Sequence, residues 1–132
     1  MKKLILLTAL LLNGCALVDA YLMTKYDPSE YQLITNIRHT AQQAKSQCND
    51  AVISKSNSVN LSLQTHLFVL YSEHVPRNKD VITAASELDA IAQGLSTQYT
   101  KATVSTVFCR IKIESIESAA DHMQAVIGAR PR

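Results

Sequence analysis

Glycine is scarce in this chain, and several familiar kinds of functional site depend on it. Only three glycines occur among the 132 residues, namely Gly14, Gly94 and Gly128. A loop that cradles phosphate needs several glycines within a few residues, and a G-x-S-x-G hydrolase motif needs one on each side of its nucleophile. The sequence contains neither pattern, so we expect no nucleotide-binding loop and no hydrolase of that type.

Metal-binding residues are also few and poorly spaced. The chain has three cysteines and four histidines, with no C-x-x-C pair and no two histidines four residues apart, as a helical zinc site would require. Glu114 and Glu117 lie one helical turn apart, a spacing that we attribute to a solvated helix face rather than to catalysis. We therefore predict no metal site, no cofactor and no enzymatic activity.

The first fifteen residues combine a basic start, a short apolar stretch and a small residue before a cysteine. The apolar run 4–12 is about half as long as the roughly 20 residues that span a bilayer. It leads into Leu12-Asn13-Gly14-Cys15. This segment resembles the signal peptide of bacterial lipoproteins, in which the lipobox ends at the cysteine that becomes lipidated. The alternatives are an N-terminal core helix and an ordinary signal peptide cut shortly after the cysteine.

The resemblance implies a domain organisation and a location. Residues 1–14 would be removed, and Cys15 would carry a thioether-linked diacylglycerol and an acyl group on its new amino terminus. Each buried methylene of such chains adds about 0.8 kcal/mol, so the attachment to membrane lipid would be effectively permanent. In enteric lipoproteins an aspartate after the cysteine causes retention in the inner membrane. Ala16 occupies that position here, which implies an outer-membrane protein facing the periplasm.

The chain beyond the signal segment is close to neutral. Of the 13 basic and 11 acidic residues, Lys2 and Lys3 precede residue 15, which leaves eleven of each sign. A neutral chain lacks the usual electrostatic basis for nucleic-acid binding and for strong attraction to anionic lipid. We therefore expect no nucleic-acid partner and regard the lipid on Cys15 as the main membrane attachment.

Cys48 and Cys109 are the two cysteines that follow Cys15. Oxidising compartments favour disulfides, and an exported chain with two further cysteines is expected to join them. We therefore predict a Cys48–Cys109 disulfide, with two separate buried thiols as the alternative. A closed loop of about 60 residues would stabilise the fold by roughly 4 kcal/mol in the chain-entropy model.

Helical periodicity begins at residue 27. Asp27-Pro28-Ser29-Glu30 is typical of a capped helix start, and the spacing of three and four residues that follows predicts a first helix over 28–53. Its seam consists of Ile34, Ile37, Ala41, Ala44, Cys48 and Ala51. The serine- and asparagine-rich run 54–58 predicts a turn, because these side chains compete with helical hydrogen bonds.

The segment 59–71 fits either a strand or a helix, and we favour a helix. Its predicted apolar face consists of Val59, Leu63, Leu67, Leu70 and Tyr71. Phe68 and Val69 lie off this face and are candidates for contact with a partner, although full burial of the helix would also account for them.

Pro76 is expected to end the second element, and Asn78 or Asp80 to cap a third helix that stops near Gly94. The seam of this helix consists of Val81, Ala84, Leu88, Ile91 and Leu95. A fourth helix is predicted over about 101–127, ending at Gly128, although residues 104–113 alone could form a strand. Its apolar face has two phases, first Val104, Val107, Phe108 and Ile111, then Ile113, Ile116, Ala120, Met123 and Ile127.

Together these patterns predict an all-α fold, an antiparallel up-down-up-down bundle of about four helices stapled by one disulfide. We expect a lipidated tether over 15–26 and the helical domain over 27–132. Helix one then rises from the membrane and helix four returns to it. Residues with candidate membrane-proximal contacts are therefore Tyr21, Tyr26 and Tyr31 and, in an exposed basic tail, Arg130 and Arg132.

The function we expect is that of a non-enzymatic, outer-membrane-anchored module that binds another envelope protein. The analogy is with secretion pilots and assembly accessories, and it rests on size, anchor and helicity alone. A phage- or plasmid-encoded lipoprotein that masks a receptor or excludes superinfecting phage is the first alternative. A periplasmic ligand carrier or enzyme is the second, and it would need a pocket with converging polar groups. With only three prolines, the chain does not resemble the proline-rich phage lysis lipoproteins.

The anchor can be tested directly. Replacing Cys15 with serine should abolish incorporation of a clickable fatty acid into the full-length protein, because the acceptor thiol is lost. The Cys48→Ser, Cys109→Ser double variant is the matched control and should be labelled like the wild type. Labelling that persists in Cys15→Ser would show that the lipobox interpretation is wrong.

Overall fold

The computed structural model describes residues 23–132, which form four helices. Helix α1 spans Pro28–Lys45, α2 spans Ala51–Ser72, α3 spans Lys79–Lys101 and α4 spans Thr106–Gly128. No strand occurs between residues 23 and 132. The ambiguous segment 59–71 is helical, and so is the ambiguous segment 104–113 from Thr106 onward, with residues 104 and 105 in the loop before α4. The predicted signal peptide, Cys15 and the tether up to residue 22 lie outside the described residues.

The four helices form the predicted antiparallel bundle. Helix α1 packs most extensively against α4, and α2 against α3, with smaller contacts between α1 and α2 and between α3 and α4. Helices α2 and α4 are therefore diagonally opposite. We call the end that contains residues 23–30, 73–78 and 128–132 the proximal end. The opposite end, which contains the loops 46–50 and 102–105, is the distal end.

Small and branched apolar side chains fill the core. Isoleucine, leucine and alanine from α1, α3 and α4 supply most of it, and α2 contributes Leu61 and Phe68. The alanines allow the helix backbones to approach closely. The predicted seam of α3 is confirmed at Val81, Leu88 and Leu95, with Ala85 and Ala92 completing the buried row.

Helix α1 ends earlier than the predicted residue 53. A turn over residues 46–49 follows it, and Asp50 caps α2 by accepting hydrogen bonds at 2.9 Å from the amides of Val52 and Ile53. Cys48 is buried as expected, but it lies on this turn rather than on a helical seam. Ala51 begins α2 and is exposed.

The predicted turn over 54–58 is wrong, because this serine-rich run lies inside α2. The hydroxyl of Ser54 donates to the carbonyl of Ala51 at 3.4 Å, and that of Ser58 to the carbonyl of Lys55 at 2.7 Å. Both serines are buried. Because each hydroxyl bonds to a carbonyl of its own helix, it does not compete with the backbone in a way that ends the helix. These serines therefore pack as small side chains.

The boundary between the last two helices also differs from the prediction. Gly94 does not end α3, which continues to Lys101. Residues 102–105 form a non-helical loop between α3 and α4. Ala102 is extended, and the Ser105 side chain accepts a hydrogen bond at 3.1 Å from the amide of Phe108. Helix α4 therefore begins at Thr106 rather than near residue 101. A serine cap decides this boundary more strongly than a single exposed glycine does.

The Cys48–Cys109 disulfide is confirmed. The two sulfur atoms are 2.08 Å apart and the Cα atoms 5.7 Å apart. The bond joins the α1–α2 loop to the first turn of α4 at the distal end. Because 61 positions of sequence separate the two cysteines, the bond greatly restricts the unfolded chain.

Replacing both cysteines with serine should lower the free energy of unfolding by roughly 3–4 kcal/mol, because the unfolded chain regains the freedom of that loop. Urea unfolding of the purified protein, with and without reductant, measures the effect. The double variant is the control and should not respond to reductant. A wild-type unfolding midpoint that is identical with and without reductant would contradict the prediction.

Candidate functional site

A buried ion pair closes the proximal end. The carboxylate of Glu30 accepts a hydrogen bond at 2.6 Å from the guanidinium of Arg130, and the two side chains are 0% and 8% exposed. Asn78 donates to the other carboxylate oxygen of Glu30 and accepts at 2.6 Å from Arg130. It also donates at 3.0 Å to the carbonyl of Ser72. We call Glu30, Asn78 and Arg130 the proximal triad.

The triad explains two differences from the sequence predictions. Asp27 caps α1 as expected, accepting at 2.8 Å from the amide of Glu30. The Glu30 side chain, however, binds Arg130 and Asn78 rather than contributing to the helix cap. The prediction that Arg130 lies in an exposed tail is wrong, because its guanidinium is turned inward. Asn78 precedes α3 as predicted but makes no side-chain capping bond, since its amide is used by the triad.

Tyr26, Tyr31 and Arg132 lie together at the proximal end. The two tyrosine ring centroids are 5.7 Å apart, and the guanidinium carbon of Arg132 lies 5.0 Å from the Tyr26 centroid. The amide of Tyr26 donates to the carbonyl of Pro131 at 2.9 Å, which ties the segment before α1 to the tail. Tyr21 lies outside the described residues. Contact of these residues with a membrane stays a prediction.

Polar contacts join α1 to α4 along one side of the bundle. Lys45 donates to Glu117 at 2.7 Å, and Arg38 lies 3.1 Å from Asp121 and 3.0 Å from Gln124. The hydrogen bond from Lys45 lowers the pKa of the Glu117 carboxyl below its usual value. The same bond raises the pKa of the Lys45 ammonium. Because both side chains are partly exposed, we expect these contacts to orient the helices more than to stabilise them.

Helix α2 exposes the face that was expected to be buried. Val59, Leu63, Leu67 and Leu70 are 42%, 66%, 52% and 45% exposed. The buried face instead consists of Ser54, Ser58, Leu61, Ser62, Thr65, Phe68 and Ser72. The suggestion that Phe68 offers an apolar surface to a partner is wrong, because this ring is fully buried, and Val69 packs against the core.

Hydrogen bonding explains how a hydroxyl-rich face can be buried. The Thr65 hydroxyl donates to Asp89 of α3 at 2.7 Å, and its oxygen lies 3.1 Å from the carbonyl of Ser62. Ser62 lies 3.4 Å from the side-chain oxygen of Gln93. Among the described residues, the buried hydroxyl of Ser72 has no hydrogen-bond partner, whereas the other hydroxyls of this face are satisfied. Their small side chains let α2 approach α3 closely, and the bulkier leucines on the other side of α2 face solvent.

Three of the four residues of the predicted first phase of the last helix are exposed rather than buried, whereas Val104, in the loop before α4, packs against the core. Val107, Phe108 and Ile111 are 68%, 40% and 57% exposed, and we call these three residues the distal patch. The buried row of α4 starts at Cys109 and continues through the predicted second phase, Ile113, Ile116, Ala120, Met123 and Ile127. The disulfide turns Cys109 inward, and this orientation turns the distal patch outward. The ammonium of Lys112 lies 5.6 Å from the Phe108 ring centroid.

The other candidate features are shallow or dispersed. An open cleft of about 480 Å³ at the proximal end is lined by Met23, Val81 and Val126 beside the polar Arg77, Asn78 and Arg130. Between residues 23 and 132, no three histidine, cysteine or carboxylate side chains are grouped closely enough to hold a metal ion. His66 lies 3.3 Å from Asp89.

Comparison with known proteins identifies no relative, since no family model, curated protein or solved structure matches the chain. None of the helices within residues 23–132 has both the length and the apolar character needed to cross a bilayer.

The importance of the proximal triad can be measured by removing its cation. Arg130→Met should lower the free energy of unfolding by about 3–5 kcal/mol, because Glu30 is left buried without a counter-charge. Arg132→Met is the matched control two residues away, where an exposed side chain is replaced and a change within about 0.5 kcal/mol is expected. Equal unfolding midpoints for the two variants in urea would refute a structural role for the buried pair.

Proposed function

We propose that this chain is a lipid-anchored, non-enzymatic module of the bacterial outer membrane that binds another envelope protein through its distal patch. The single observation that carries the proposal is the exposure of Val107, Phe108 and Ile111 on one turn of α4. Isolated exposed apolar residues are ordinary, but clusters of them are typical of interaction sites. An aromatic side chain with two aliphatic neighbours is also a common composition for a binding anchor.

The position of the patch agrees with attachment through Cys15. Met23, the first residue of the proximal end, lies only eight positions after Cys15, and a fully extended stretch of that length reaches at most about 28 Å. The patch lies at the start of α4. At 1.5 Å per residue, it is roughly 30 Å from the last residue of that helix, Gly128, which is at the proximal end. A partner could therefore reach the patch while the proximal end stays near the membrane.

The rigidity of the distal end supports the same proposal. Cys109 lies between Phe108 and Ile111 in sequence and is bonded to Cys48 in the neighbouring loop. The Ser105 cap fixes the first turn of α4. A patch held in one conformation loses little entropy when a partner binds, and this lowers the cost of association.

The proposal can be tested by photo-crosslinking in cells that produce the full-length protein. A photoreactive amino acid at position 108 or 111 should capture the same envelope protein, and Phe108→Asp should reduce the capture from position 111 at least fivefold. The matched control is a photoreactive residue at position 118, an exposed serine on the same helix. It should not capture that protein.

Failure to recover any specific envelope protein from positions 108 and 111 would refute the proposal. The identity of a captured protein would also separate the two lipoprotein hypotheses. A secretion or assembly component would favour the accessory role, whereas a surface receptor would favour receptor masking.

A further inference from the structure

Helix α2 carries a continuous apolar row on the side that faces away from the bundle. Val52, Val59, Leu63, Leu67 and Leu70 are 42–80% exposed. With Ser56 they follow spacings of four, three, four, four and three residues, which keep them on one side of an α-helix. The row is about 27 Å long at 1.5 Å per residue. We call these six residues the α2 row.

The α2 row is almost free of charge. Lys55 is the only charged residue among the 22 of α2, and Glu73 follows directly after the helix. The row therefore offers no charged group to attract a strongly acidic or basic partner. A neutral row is also compatible with a second copy of itself, because symmetric pairing places no like charges opposite each other.

Five of the six residues of the row, all except Val52, are spaced symmetrically about Leu63. Ser56 and Leu70 each lie seven residues from Leu63, and Val59 and Leu67 each lie four residues from it. If two copies of α2 run antiparallel and cross at Leu63, then Leu63 meets Leu63 of the other copy. Val59 then meets Leu67, and Ser56 meets Leu70. The apolar row is thus complementary to itself in that one arrangement.

The two charges beside the row agree with the same arrangement. Lys55 and Glu73 are 18 residues apart, which is five turns of helix, so they project from the same flank of α2. Glu73 keeps helical dihedral angles (φ −62°, ψ −25°). They lie eight and ten residues from Leu63 on opposite sides. An antiparallel crossing at Leu63 therefore brings Lys55 within about 3 Å, along the axis, of Glu73 of the other copy.

Neither charge forms an ion pair within the described part of its own chain. The ion pairs among residues 23–132 involve neither Lys55 nor Glu73. A parallel pairing would leave both unpaired, because it brings the flank of Lys55 against the opposite, uncharged flank of the other helix. The charges therefore favour the antiparallel arrangement over the parallel one.

We propose that two copies of this chain associate through the α2 row, with the two α2 helices antiparallel and crossing at Leu63. This interface goes beyond the proposed function and uses the opposite side of the bundle, since α2 and α4 are diagonal. The distal patch of each copy stays free. A single helix pair buries less than the roughly 1,200–2,000 Å² of a standard interface, so we expect micromolar dissociation. The two proximal ends point in opposite directions in this pair, so both copies stay anchored to one membrane when the bundles lie along its surface. Anchoring in one membrane then offsets the weak affinity.

Disulfide crosslinking tests both the pairing and its direction. In membranes from cells that produce the full-length protein, oxidised Leu63→Cys should give a covalent dimer on a non-reducing gel. Ser56→Cys should not, because its two copies would lie about 21 Å apart along the axis, whereas a disulfide needs Cα atoms within about 7 Å. Ser56→Cys produced together with Leu70→Cys should give the mixed dimer.

Two controls accompany the crosslinking. The wild type measures any contribution from its own three cysteines, and Ser118→Cys places an exposed thiol on α4, away from the row. A covalent dimer from Ser56→Cys alone would overturn the antiparallel arrangement. Absence of the dimer from Leu63→Cys, or an equal yield from Ser118→Cys, would overturn the pairing itself. Neither result bears on capture of an envelope protein at the distal patch.

A charge exchange gives an independent test in detergent-solubilised protein. Lys55→Glu should weaken dimerisation at least fivefold, measured by analytical ultracentrifugation, and the double variant Lys55→Glu, Glu73→Lys should restore it. Both positions are exposed, so circular dichroism should show unchanged helicity. A double variant that dimerises no better than Lys55→Glu alone would contradict the predicted pairing of Lys55 with Glu73.

Discussion

The buried pair between Glu30 and Arg130 is the contact on which the proximal half of the structure depends. It joins the first turn of α1 to the last residues of the chain, and Asn78 adds the loop before α3 to the same cluster. A buried carboxylate and guanidinium are each costly to remove from water, and together with the amide they satisfy one another. Three segments distant in sequence are therefore fixed at one point.

The disulfide has the corresponding role at the distal end. Cys48 and Cys109 fix the α1–α2 loop against the start of α4, so α1 and α4 are joined at both ends. Their axial register cannot change without breaking one of the two connections. Between these two connections, the polar contacts of Arg38 and Lys45 with α4 help to orient the two helices. The outward placement of Phe108 follows from this register, because Cys109 must face inward.

The sequence was sufficient for the fold class, the disulfide and the core rows of α1, α3 and the second half of α4, because regular apolar spacing and paired cysteines report on local structure. Helix boundaries were less predictable, since the cap at Asp50 and the inward-bonded serines 54 and 58 depend on which hydrogen bonds form. The buried face of α2 could not be predicted. Either face of α2 could pack against a helical core, and which of them is buried depends on how closely α3 approaches.

The candidate surfaces were missed for the same reason. Helical spacing places Leu63 and Phe108 on predicted apolar faces, but each lies on a helix with a second row of residues that can pack against the core. Two signals pointed to the true arrangement: the change of phase between Ile111 and Ile113, and the near absence of charge from α2. The inward turn of Arg130 left no signal, because only the three-dimensional fold brings it to Glu30.

The proximal triad also has a consequence for the order of events during synthesis. Arg130 follows Glu30 by 100 positions in sequence, so the carboxylate is synthesised long before the guanidinium that neutralises it in the folded protein. The four helices can begin to form as each is synthesised, but the proximal triad closes only after α4 is complete. Closure of the proximal end is therefore a late event in folding during synthesis.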